Sequence, residues 1–171
     1  MPITIRQIEE RDIEAFYAGL CTVIAEGRYL GFETPPPIDK TRAFITECIE
    51  NDYPQLVAVD GEVLAGWCDV VPGGRSTMRH DGSLGMALLP DYRGKGLGER
   101  LIRAAIEASW AWGMTRISLD VFTTNPRAHA LYLKVGFVDE GVRRRMHKFP
   151  DGYRDSIMMG LLKPDAAEPP V

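Results

Sequence analysis

The amino-acid sequence predicts an α/β or α+β sandwich, a sheet with helices packed against it. Three observations carry this expectation. Short apolar stretches with two-residue alternation stand between segments whose apolar residues recur every three to four positions. A strand, helix, strand succession in the second half of the chain calls for at least one parallel pair. With 171 residues, 45% of them hydrophobic, the chain can bury a real core, and residues 1–163 suit one domain.

Each element has its own local reason. Ile3 and Ile5 alternate with polar neighbours and read as a short strand. Asp12 stands where a helix cap belongs, ahead of Ile13, Phe16, Leu20, Val23 and Ile24 at helical spacing. Gly31 to Pro37 ends that helix, because Pro35-Pro36-Pro37 cannot be helix interior. A second helix from Asp39 to about Asn51 carries Ala43, Phe44, Cys48 and Ile49 on its apolar side. Gln55 to Val59 is a strand, Asp60-Gly61 is a hairpin turn signal, and Val63 to Val71 is the next strand. After a polar loop from Pro72 to His80, Gly82 to Leu89 is a third strand, ended by Pro90. The helix from about Gly96 to Trp112 lines up Leu97, Leu101, Ile102, Ala105, Ile106 and Ser109 in a stripe that must face a sheet. Arg116 to Val121 is a strand, and Asn125-Pro126 opens a helix that stops at Gly136. Phe137 to Arg143 and Ser156 to Leu162 are two closing strands, with a basic loop containing Arg144 and Arg145 between them. Pro164 to Val171 has nothing to bury and reads as a flexible tail.

Composition narrows the function. Acidic residues outnumber basic ones, 24 to 20, for a net charge of -4, which argues against a nucleic-acid partner. No apolar run approaches the ~18 residues of a membrane span, and Met1 to Arg6 lacks a signal-peptide pattern. A cytoplasmic protein without a membrane partner is therefore the expectation. Cys21, Cys48 and Cys68 are odd in number and far apart, so they read as reduced thiols. His80, His129 and His147 form no ligand cluster, and no metal is expected.

The most informative stretch runs from Leu88 to Glu99. Gly94, Gly96 and Gly98 sit at alternate positions between a strand and a helix, with Arg93 and Lys95 among them. Backbone N–H groups without Cβ atoms beside them can turn toward an anion, and the helix N-terminus and the two cations add positive charge. The segment reads as a pyrophosphate cradle made by Arg93, Gly94, Lys95, Gly96, Leu97, Gly98 and Glu99. A dinucleotide fingerprint would need glycine where Glu99 stands, and a P-loop would need Ser or Thr where Gly96 stands.

This loop resembles the acetyl-CoA pyrophosphate loop of the Gcn5-related N-acetyltransferase (GNAT) superfamily: Arg93, Gly96 and Gly98 fill its pattern. A second hallmark follows in register, with Asn125, Ala128, Ala130-Leu131-Tyr132, Lys134 and Gly136-Phe137. The resemblance covers nearly the whole chain, from Ile3 to Leu162. Within the superfamily the chain looks like the bacterial small amino-acid and amine acetyltransferases, on the cues of His80, Gly141 through Arg145, and Gly152-Tyr153-Arg154-Asp155. The resemblance implies a mixed, strongly twisted sheet of six to seven strands flanked by about four helices. It implies acetyl-CoA as co-substrate, direct attack by an amine in a ternary complex, and often a homodimer.

The resemblance also suggests roles. Tyr132 lies seven residues after Asn125, where the superfamily commonly places a tyrosine that protonates the CoA sulfur. Asn125 is implied to hold part of CoA, besides capping its helix. The main chain of Met86, Ala87 and Leu88 is implied to polarise the acetyl carbonyl and to pair with pantetheine. The base stays open: Asp120 stands where some members carry a glutamate, Glu33 lies in the loop bordering the acceptor site, and Asp69, His80 and Asp81 are further candidates. The leading expectation is transfer to a primary amine of a small molecule, such as an amino acid or polyamine. The alternatives are a protein N-terminus or lysine as acceptor and, in another class, an acyl-CoA-binding module without catalysis.

Overall fold

The computed structural model describes residues 2–164. Its elements run β1 (Thr4–Gln7), α1 (Ile13–Ala25), α2 (Ile38–Glu50), β2 (Gln55–Asp60), β3 (Val63–Pro72), β4 (Asp81–Leu88), α3 (Leu97–Trp112), β5 (Arg116–Phe122), α4 (Pro126–Lys134), β6 (Val138–Phe149) and β7 (Gly152–Leu162). The strands form one seven-stranded sheet in the order β1-β2-β3-β4-β5-β7-β6. All neighbours pair antiparallel except β4 and β5, the parallel pair that the strand–helix–strand succession required.

Each sheet face buries its own core. Alternation along β3 sends Cys68 and Val70 to the face covered by α3 and α4, where Leu101, Ile102, Ala105, Ile117, Tyr132 and Phe137 pack. It sends Trp67 to the other face, among Phe16, Val23, Ile24 and Ile45 of α1 and α2. The ring of Phe16 lies 4.8 Å from that of Trp67. Because α3 lies on one face and α1 on the other, the apolar stripe read from each helix meets the sheet as expected.

Two local expectations are corrected. The Asp12 side chain does not cap α1; its carboxylate accepts from both guanidinium nitrogens of Arg6, at 2.6 and 2.8 Å, and from the Glu9 N–H. Arg144 and Arg145 are not in a loop but inside β6, which runs to Phe149 and returns through a tight turn at Gly152. Both faces of β6 are largely exposed, so no apolar alternation marks its second half. The register also slips between Arg143 and His147, where Arg145 adopts a φ of 55°. The tail expected from Pro164 to Val171 lies, from residue 165 on, outside the described residues.

Candidate active site

The parallel pair that completes the sheet is short. Only Asp81–Ser83 of β4 pairs with Arg116–Ser118 of β5. Beyond that point β5 stays with β7 to Phe122, and β4 stays with β3 to Leu88. The two strands therefore diverge into a V. Asp81 fixes its closed end, accepting from Ser118 Oγ at 2.9 Å and Arg116 Nε at 3.2 Å. The open end is a cleft of about 550 Å³ through the sheet, lined by Ser83 to Leu88, by Asp120 to Phe122, and by one side of α4. Met86, Ala87 and Leu88 thus present an edge that no strand of the described residues covers.

The glycine loop closes one mouth of the cleft. Gly94 and Gly96 have φ of 77° and 79°, a left-handed conformation that glycine adopts without a Cβ clash. Gly96 precedes the first turn of α3, and a Cβ there would meet nothing within 4 Å. That open space beside unsatisfied helix N–H groups fits a pyrophosphate. Gly98 serves packing as well, since a Cβ there would lie 3.3 Å from Leu131 of α4. Leu97 turns into the core and Lys95 outward, while Glu99 lines the cleft between Lys134 at 2.5 Å and Arg103 at 3.0 Å.

Arg93 lines the cleft beside the glycine loop, and its side chain is also committed to partners within the protein. Its Nε donates to the Leu88 carbonyl at 2.8 Å, and its two terminal nitrogens grip Glu26 at 2.8 and 2.6 Å. Its guanidinium also lies 4.8 Å from the Tyr29 ring. The residue ties the loop after α1 to the end of β4. A further cation beside the cradle is Arg127, whose terminal nitrogen stands 3.1 Å from where a Cβ of Gly94 would be. Nothing local in the sequence marks it, because its place depends on how the α4 N-terminus meets the glycine loop. Asn125 caps that helix, accepting from Ala128 N–H at 3.2 Å, and lines the cleft.

Tyr132 projects from α4 into the cleft and is 8% exposed. Burial raises its phenol above the ordinary value near 10, so it holds its proton at neutral pH. Asp120 lines the opposite wall and is held by Arg143 at 3.2 Å. Glu33 is exposed and lies outside the lining; Tyr29, Leu30 and Gly31 of its loop reach the cleft instead. Sequence reasoning missed two further lining groups: Ser156 Oγ and His147 Nδ1, both buried and without a hydrogen-bond partner. Their strands pass under the loop after α1, where His147 Nε2 would stand 2.7 Å from a Cβ at Gly31. Asp81 is committed to the closed end of the V, and His80 accepts through its backbone carbonyl from Thr115 and Arg116 N–H.

Among the described residues no helix is long and apolar enough to cross a membrane, and no cluster of three or more His, Cys, Asp or Glu forms a metal site.

Known proteins share this arrangement. The family model of the acetyltransferase (GNAT) family matches residues 18–137. A protein of Bacillus subtilis (strain 168), provisionally named a ribosomal protein bS18-alanine N-acetyltransferase, is 33% identical over 120 residues, 68% of this chain and 74% of its own length. An L-methionine sulfoximine/L-methionine sulfone acetyltransferase of Pseudomonas paraeruginosa (strain PA7) is 30% identical over 147 residues, 82% of this chain and 83% of its own. A phosphinothricin acetyltransferase of Sinorhizobium meliloti, solved in complex with acetyl-CoA, superposes with a TM-score of 0.90 over 100% of this chain and 94% of its own, at 22% identity. A V-shaped cleft between two parallel strands, a glycine loop at its mouth and a family model spanning most of the chain lead to one conclusion: the protein belongs to the GNAT family and is an acetyl-CoA-dependent N-acetyltransferase.

Proposed function

We propose that the chain acetylates the primary amine of a small polar molecule of the amino-acid type. The observation that carries this reading is the closure of the acceptor side. Glu26 and Tyr29 are pinned by Arg93, and Gly31 abuts the His147 ring, so the loop after α1 roofs the cleft on the face of α1 and α2. An extended peptide needs an open groove there, whereas a small acceptor needs an enclosed pocket. The relative that acetylates L-methionine sulfoximine or sulfone, aligned over most of both chains, supports the same class.

The residues suggest a division of labour. The backbone of Gly94 to Gly98 and the Arg127 guanidinium would hold the pyrophosphate of acetyl-CoA, which supplies the activated acetyl group. Asn125 would hold its pantetheine. The free edge of Met86 to Leu88 would orient the thioester, its N–H groups polarising the carbonyl. Tyr132 would protonate the departing sulfur, and Asp120, fixed by Arg143, would orient the amine by accepting a hydrogen bond from it. The other acceptor class is a protein N-terminus, favoured by the bS18-type relative. A thiol-release assay separates the two, with L-methionine sulfoximine, pooled amino acids and polyamines in one arm and a peptide beginning with alanine in the other. Faster release with the peptide would overturn the small-molecule reading.

A further inference from the structure

Those catalytic roles leave the amine's proton without a destination, and one half-buried carboxyl has no structural employment. Asp69 lies in β3 between Gln55 of β2 and Gly85 of β4, its register partners on either side. Trp67 and Ala87 belong to the core under α1 and α2, so by alternation Gln55, Asp69 and Gly85 form a row on that same face. Gly85 lines the cleft, and a Cβ on it would lie 3.2 Å from Asp69 Oδ2. Asp69 is not itself a lining residue, but the missing side chain at position 85 leaves no Cβ between its carboxylate and that part of the wall.

The far wall is in step with this row. Ser83 pairs with Ser118 in parallel register, so two residues further on Gly85 stands opposite Asp120 across the V. Leu119 and Val121 point into the core under α3 and α4, which puts Asp120 on the face of Asp69. Asp120 thus lines the cleft at the level of Gly85, and Asp69 stands behind that glycine on the same sheet face, while Tyr132 rises from α4 on the opposite face. They differ in environment. Asp120 is ion-paired with Arg143. Among the described residues Asp69 has no such partner: burial pushes its carboxyl up to about 7, opposed by a hydrogen bond from its own backbone. The titratable group nearest it on that face is the thiol of Cys48 from α2, with Glu47 beyond; Cys68, its chain neighbour, points to the opposite face, and both thiols are raised above their ordinary value, chiefly by burial. The neighbouring Gln55 amide, wholly buried, leaves both its nitrogen and its oxygen without a partner.

We propose that Asp69 is the proton acceptor of the transfer reaction, taking one proton from the acceptor's ammonium group, directly or through a water, across the gap that Gly85 leaves. The proposal rests on the small-amine reading. The amine so freed attacks the thioester carbonyl; the C–N bond forms and the C–S bond breaks. The departing sulfur receives the Tyr132 proton, the new amide nitrogen sheds a proton that restores Tyr132, and Asp69 returns its own to solvent.

The test uses the full chain with L-methionine sulfoximine and acetyl-CoA, comparing wild type with Asp69→Asn and Gly85→Ala over a pH series. Wild-type kcat/KM should rise with pH and level off near neutrality. Asp69→Asn should be on the order of 10²-fold slower near pH 7 and keep rising as the free amine deprotonates. CoA affinity by calorimetry should not change. Gly85→Ala, which displaces the carboxylate without removing it, should shift the acid limb. An Asp69→Asn enzyme with wild-type rate and plateau would overturn the proposal. A carbon-13 NMR titration of the aspartate carboxyls needs no acceptor: an Asp69 midpoint near 7 supports the proposal, and one near 4 overturns it. Wild type that binds acetyl-CoA and acetylates only the alanine peptide would instead refute the small-amine reading, and the same pH series on that peptide would still decide on Asp69.

Discussion

Asp69→Asn should stabilise the protein at alkaline pH and leave it nearly unchanged at acid pH. The carboxyl titrates near 7 in the folded chain against a reference of 3.8. The folded state therefore binds a proton that the unfolded chain has lost between those values, and Asp69's contribution to stability falls as pH rises through that window. The full gap corresponds to about 4 kcal/mol, at about 1.4 kcal/mol per pH unit. A half-buried carboxylate keeps some hydration, so about 2–4 kcal/mol is expected at pH 8.5. Asparagine has nearly the same shape and no charge to desolvate, so it should gain this amount relative to wild type above pH 8 and almost nothing below the reference value of 3.8. Urea unfolding of both proteins at matched pH is the assay. Comparison at one pH cancels the opposite trend from Asp12, Glu26 and Glu140, whose carboxyls lie below their ordinary range chiefly because arginine hydrogen bonds favour the charged form, though for Asp12 burial opposes this most strongly. A stability difference between the two proteins that does not grow with pH would show that the carboxyl is solvated as in an unstructured chain.

Tyr132→Phe should keep CoA affinity, because the ring packs as before against Phe137, and should slow acetyl transfer on the order of 10²-fold at saturating substrate. Gly96→Asp should abolish acetyl-CoA binding in a folded protein, since the side chain would enter the open space of the cradle with a repelling charge; calorimetry reads this directly. Arg127→Ala should weaken CoA binding roughly tenfold, and less at high salt, if its guanidinium meets the pyrophosphate. Arg93→Ala should do the reverse, raising KM for the acceptor more than Kd for CoA, because it frees Glu26 and Tyr29 and loosens the roof.

Much of the molecule was legible from local pattern. The α3 stripe from Leu97 to Ser109 and the three glycines before it specify a helix, the face it buries and an anion site at its start. Asn125-Pro126 specified both the start of α4 and its cap. What escaped was non-local. Arg93 reads locally as a phosphate cation, and nothing near it marks its partner Glu26, which is 67 residues away and meets it only when α1 packs on the sheet. Arg127 enters the site for the converse reason, as a surface-type residue brought beside Gly94 by the angle of α4. The second half of β6 was missed because a strand exposed on both faces carries no binary pattern to read.

Asp69 belongs to the same class of hidden information, and it shows why stability and function pull apart here. A charge inside a strand otherwise reading Trp67, Cys68, Val70, Val71 marks Asp69 as one of several candidate bases, with nothing local to say how far it is desolvated. Only the sheet order shows that both neighbours of β3 are paired along its length and that α2 approaches from that face, so the carboxyl is partly desolvated with no cation to offset the cost. Asparagine would fit the same space at lower cost above neutral pH. An ionisable group placed where it destabilises the fold at working pH, on the strand next to the one whose free edge lines the cleft, is what the proposed proton abstraction would use: a carboxylate poor enough in solvation to bind a proton near pH 7.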